Sequence, residues 1–183
     1  MTIYTIILIV LAALAFWAIV IYNGLIRLRN RAVEAWSNID VELKRRYDLI
    51  PNLVEAVKGY MQHERQVFEK VTEARSRAMN AAPGEKAGAE NMLTAALKSL
   101  FAVAENYPEL RASENFLKLQ NDISDTENKI QAARGSYNTN TRDLNIKIET
   151  FPSNLVAQIF GFKQMEFFGD LEEVEKQPVG VRF

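Results

Sequence analysis

His63 followed by Glu64 is the one histidine–carboxylate pair in this chain of 183 residues. A zinc-binding H-E-x-x-H helix needs a second histidine three residues after the glutamate, where Val67 stands behind Gln66. A di-iron bundle needs Glu-x-x-His on two helices, and here Tyr60 occupies the glutamate position before the single histidine. His63 therefore reads as a surface or half-buried polar residue. The chain has no cysteine, so thiolate metal sites, disulfides and thiol nucleophiles are out of reach. Ser37, Ser76, Ser99 and Ser136 fall inside helical patterns with no histidine near them in sequence, which gives no Ser–His–Asp arrangement. Ala82-Pro83-Gly84-Glu85-Lys86 has a single glycine and lacks the spacing of a phosphate-binding loop.

Polar residues beside apolar stripes are the more informative set. Asn38 and Asn52 flank apolar positions, and Thr126-Glu127-Asn128 lies between Ile123 and Ile130, with Arg134 and Tyr137-Asn138 following. Glu127 and Arg134 share a helix face two turns apart. They read either as a cation or ligand site between helices or as a buried hydrogen-bonded network that sets helix register. The enzyme reading that remains is a metal-dependent hydrolase on His63, Glu64 and Glu127, and it lacks a nucleophile. The expectation is no catalytic, cofactor-binding or metal residue, and no enzyme.

The elements that position these residues begin with an apolar run. Met1 to Tyr22 carries no charged side chain. A helix of that length reaches about 30 Å, the hydrocarbon thickness of a bilayer. Tyr4, Trp17 and Tyr22 suit the interfaces. A core helix would carry a polar stripe, which is missing. Ala13-Leu14-Ala15 resembles a signal-peptidase site, but the apolar run continues from Phe16 to Tyr22 and no basic segment precedes it. Residues 1–24 are therefore expected to be a retained transmembrane anchor, with the bilayer as partner of residues 1–22. Arg27, Arg29 and Arg31, then Lys44, Arg45 and Arg46, follow the span, so the N-terminus is expected outside and the C-terminal domain in the cytoplasm. The same arginines suit anionic headgroups.

Roughly 160 residues remain, enough for one domain with a core. The formal net charge is −1, which offers no field for nucleic acid. Leu25, Leu28, Ala32, Trp36, Ile39, Leu43, Tyr47 and Ile50 fall at helical steps. Pro51 predicts a break or corner at Asp48-Leu49-Ile50-Pro51, with a kink as the alternative. A second helix is expected from about Leu49 to Asn80, a third from Glu85 to Asn106, and a fourth capped by Ser113 and stopped by Phe151-Pro152. No segment reads as a strand. The fold class is all-α: one N-terminal transmembrane helix, then an antiparallel, up-and-down four-helix bundle over 25–150. A short helical segment over 151–169 holds five phenylalanines, Phe151, Phe160, Phe162, Phe167 and Phe168. It either docks on the bundle or meets a partner, a second copy or the membrane surface. An acidic, flexible tail is expected over 170–183.

Tyr22-Asn23, Trp36-x-x-Ile39 through Arg46, Leu49-Ile-Pro-Asn-Leu-Val54, Val57-Lys-x-Tyr60, His63-Glu64, Tyr107-Pro108-x-Leu110, Phe116-x-x-Leu119, Thr126-Glu127, Ile130-x-x-Ala133-Arg134 and Tyr137-Asn138 together resemble the LemA family. The match runs in order over nearly the whole chain. It departs at Leu144-Asn145, where a second Tyr-Asn pair is expected. The resemblance implies a single-pass bacterial inner-membrane protein with an up-and-down four-helix domain, and it implies no reaction. A relative is implicated in shaping magnetosome membranes, and some members are encoded beside a heat-shock membrane metalloprotease, which the resemblance suggests as a partner. The leading functional expectation is a membrane-anchored scaffold that forms a homo-oligomer or binds a protein partner. The alternative is an adaptor or regulator of envelope stress or of a membrane protease.

Overall fold

The computed structural model describes residues 2–61 and 63–169; the tail expected over 170–183 lies outside the described residues. The described residues are helical with no strand: α1 (Ile3–Lys58), α2 (Arg65–Asn80), α3 (Pro83–Ala104), α4 (Pro108–Arg111), α5 (Glu114–Glu149) and α6 (Ser153–Ile159). Pro83 and Pro108 open α3 and α4, where a missing N–H costs nothing. α5 begins directly after Ser113, as expected. Among the described residues the chain divides into two compact units, residues 2–37 with 135–167 and residues 38–134 with 168–169.

In the first unit, α1 is long and apolar enough to cross a membrane, and none of its most apolar stretch is buried. Large side chains from Ile3 to Val20 face outward. Burial begins at Ile21, which joins Leu25, Leu144, Val156 and Ala157 in a small core; Ala18, Tyr22, Leu28, Ile148, Phe162 and Met165 pack on it. Leu144, where the family pattern suggests an aromatic, fills this core. Ser153 is buried, and its hydroxyl lies 2.7 Å from the Lys147 carbonyl and 2.8 Å from that of Thr150, which closes the end of α5.

Gly161 ends α6 at φ +67, a conformation that favours glycine. The Gly161 N–H donates to the Gln158 carbonyl and the Phe162 N–H to that of Ala157, the paired bonds of a Schellman cap. The cap folds Phe162 back over Ala157. Beyond it, the Asn145 amide clamps Met165, donating to its carbonyl and accepting from its N–H, both at 2.9 Å. The Tyr137 hydroxyl donates to the Glu166 carbonyl at 2.7 Å.

In the second unit, Ile39, Leu43, Ile50, Leu53 and Val57 of α1, Val71 and Ala78 of α2, Leu93, Leu97 and Leu100 of α3, and Phe116, Ile123 and Ile130 of α5 are buried. The expected break at Asp48–Pro51 is not there. α1 runs through Pro51 to Lys58, and α2 starts at Arg65 rather than Leu49. Pro51 has no N–H for the carbonyl of Tyr47, one turn back. That carbonyl instead accepts from Arg75 Nε of α2 at 2.8 Å. The chain turns at Gly59 and Tyr60 instead.

This substitution of one donor for another is testable. Arg75→Met is expected to lower the unfolding free energy by about 1–3 kcal/mol, because the carbonyl loses its partner. In a Pro51→Ala background the same change should cost clearly less, since the restored N–H at position 51 can take the carbonyl. Urea titrations followed by helical circular dichroism check this; equal costs in both backgrounds would reject the compensation.

Candidate functional site

The polar residues that matter in the second unit sit on apolar stripes. Arg46 follows Leu43 by three residues and precedes Ile50 by four, so helix geometry carries it inward. Only 1% of it is exposed. A buried guanidinium needs anionic partners and several acceptors. Arg46 reaches Glu90 and Thr94 of α3 and Glu127 of α5: Nη2 donates to Glu90, and Nη1 donates to Glu127 and, at 3.0 Å, to Thr94 Oγ1. Glu90 is 2% exposed and also accepts from the Tyr47 hydroxyl. That hydroxyl lies 3.3 Å from the Ala78 carbonyl of α2, which also accepts from Lys86 Nζ at 2.8 Å. Side chains or carbonyls from α1, α2, α3 and α5 thus converge on one ion-paired cluster.

Its electrostatics follow from burial. Desolvation pushes the Tyr47 phenol well above its ordinary value, the hydrogen bond and charge of Glu90 add to this, and Arg46 opposes it. The phenol therefore stays a donor. Burial lowers the Arg134 guanidinium, opposed chiefly by the charge of Glu127. Arg134 lies under the Phe168 ring at 4.8 Å, a cation–π contact. A Cβ on Gly169 would come within 3.3 Å of its guanidinium, so the chain passes close over Arg134.

Glu127 and Arg134, which share a helix face, have different partners. Glu127 is committed to Arg46, and Arg134 stacks on Phe168. Glu90 is bound at both carboxylate oxygens. These contacts tie α1 to α3 and α5 through side chains that are paired with one another. Asn38 and Asn52 are exposed and stand outside it. Thr126 is buried, but its hydroxyl bonds carbonyls of its own helix, Asp122 at 3.0 Å and Ile123 at 2.8 Å. His63 is exposed in the turn before α2, beside Glu64, which lies 3.4 Å from the Tyr107 hydroxyl. Among the described residues no group of three or more His, Asp or Glu is placed to hold a metal ion.

Arg46 is buried, which corrects the expectation that it meets headgroups; Arg27, Arg29 and Arg31 are exposed. Glu90 and Thr94 were missed. Their signal was present: Ala87, Glu90, Leu93 and Leu97 are all buried at helical steps, which puts a carboxylate on the core face of α3.

The phenylalanine-rich segment divides. Phe168 is buried and Phe162 half-buried, whereas Phe151 and Phe160 are 74% and 57% exposed. Ile159 and Leu155 of α6 are also exposed, at 78% and 48%. These four exposed apolar side chains lie within ten residues of one another.

A model of the LemA family matches residues 35–183. Protein LemA of Metamycoplasma hominis is 31% identical over 162 residues, covering 86% of this chain and 72% of that protein. Magnetosome protein MamQ of Magnetospirillum gryphiswaldense is 24% identical over 174 residues, covering 80% of this chain and 64% of that protein. Magnetosome protein MamQ 2 of Paramagnetospirillum magneticum is 26% identical over 188 residues, covering 87% of this chain and 69% of that protein. None of the three is named for a reaction.

Proposed function

This chain belongs to the LemA family, and from that premise we propose that it is a non-catalytic scaffold anchored in the bacterial inner membrane. The observation that carries the reading is α1 itself: one helix runs from the exposed apolar stretch at Ile3 to Lys58, where its side chains build a buried core. Residues 1–24 serve as the anchor. The helical segments over 25–150 serve as an up-and-down bundle, with Arg46 setting their register. The N-terminus lies outside and the body in the cytoplasm, in keeping with Arg27, Arg29 and Arg31 just past the span. Self-association is the expected activity, since confinement to the bilayer raises local concentration. Relatives named as magnetosome proteins support membrane organisation as the setting.

The test uses full-length protein in native membranes. It should resist alkaline carbonate extraction, and mild crosslinking should give bands at multiples of 20.8 kDa. Protease added outside sealed right-side-out spheroplasts should leave the body intact. A chain that stays monomeric and captures nothing after crosslinking sinks the scaffold. Release by carbonate sinks the anchor.

A further inference from the structure

We infer that α6 and its flanking phenylalanines form a second membrane contact, lying in the lipid interface beside the point where α1 leaves the bilayer. This rests on the reading of Ile3–Val20 as a retained span. Val156 and Ala157 of α6 pack in one core with Ile21 and Leu25, and Ala18 touches the same core. The Phe160 ring lies 4.8 Å and the Phe162 ring 5.8 Å from that of Tyr22. α6 is therefore held at the level of the last turn of the apolar stretch and the turn that follows it. With that stretch in hydrocarbon, a segment at this level meets the boundary between acyl chains and headgroups.

The chemistry of the segment fits that depth. Residues 151–162 carry no charged side chain. Leu155 and Ile159, one turn apart on α6, are exposed, and so are Phe151 and Phe160. Cations stand next to this apolar group: Arg29 and Lys163 line a groove with Tyr22, Phe160 and Phe162. Apolar side chains beside Arg and Lys at the end of a span match an anionic bilayer surface, acyl chains below and phosphates above. The Schellman cap at Gly161 and the Asn145 clamp on Met165 keep the segment folded back at this level. Tyr22 and Phe160 are the aromatic pair of the interface.

The native chain has no cysteine, so a single introduced one carries a spin label at a unique place. Full-length Leu155→Cys, Ile159→Cys, Leu14→Cys and Met79→Cys are labelled and reconstituted in liposomes of phosphatidylethanolamine and phosphatidylglycerol. Collision with oxygen is compared with collision with a water-soluble nickel chelate. Labels at 155 and 159 should favour oxygen several-fold over the label at 79, on exposed Met79 of α2, and approach the label at 14 in the span. Labels at 155 and 159 that meet the nickel chelate as freely as the label at 79, while 14 stays in hydrocarbon, overturn the inference and leave the anchor standing. A label at 14 in water removes both. Spin–spin broadening at 159 that vanishes on dilution with unlabelled protein overturns it in favour of a second copy on this face.

Discussion

Arg46→Met lowers the unfolding free energy by about 3–5 kcal/mol, whereas Arg45→Met, one residue earlier, changes it by about 0–1 kcal/mol. The contrast comes from burial. Arg45 is 44% exposed and stands 3.6 Å from Asp125, itself half in water, so solvent replaces the lost partner. Arg46 is 1% exposed, and its loss leaves Glu90, 2% exposed, with the Tyr47 hydroxyl as the partner that remains. An uncompensated carboxylate in that position is what destabilises the fold. Glu90→Leu in the Arg46→Met background should therefore recover most of the loss, because apolar side chains of similar size tolerate the site. Tyr47 keeps the Ala78 carbonyl in that variant. Urea unfolding of the full-length protein in detergent micelles measures all three. A loss below about 1 kcal/mol for Arg46→Met would mean that the ion pairs hold nothing together.

Alkaline pH is expected to unfold this protein through Tyr47. An exposed phenol ionises near pH 10, and in the folded chain burial and Glu90 hold Tyr47 protonated well above that. Above about pH 10 the unfolded state binds fewer protons than the native one, so stability falls with rising pH by about 1.4 kcal/mol per unit. The contribution is fully present below the unfolded value and is lost as pH climbs through the folded one. Tyr47→Phe should remove this slope while costing a hydrogen bond at neutral pH. Tyr107 is also raised, by burial and by Glu64, and it contributes equally to both proteins, so it cancels in their difference. Parallel pH profiles for the two proteins would show that the Tyr47 hydroxyl ionises as it does in water.

Local rules reached a good part of this fold. The long apolar N-terminal helix, the helical character of the described residues, the start of α5 behind Ser113 and its end before Phe151-Pro152 follow from periodicity and from proline and capping chemistry, which act over a few residues. The buried cluster was half legible. Arg46 and Glu90 both stand on apolar stripes, and a charged residue there needs a partner. Which partner it finds depends on how helices far apart in sequence come together: Arg46 and Glu90 are 44 residues apart, Arg46 and Glu127 are 81.

Pro51 shows the division most clearly. By itself the sequence determined that a carbonyl one turn back would lack its helical donor, and that is why a break was expected. The tertiary structure decided that the helix continues, because Arg75, 28 residues from Tyr47, supplies the donor. The phenylalanines divide in the same way. Composition marked the segment as apolar beyond its own needs, but the glycine cap and the Asn145 clamp set which rings are covered. Helical periodicity is a property of neighbours in the chain, whereas the partner of a buried polar group is set by packing, and only the folded chain brings the two together.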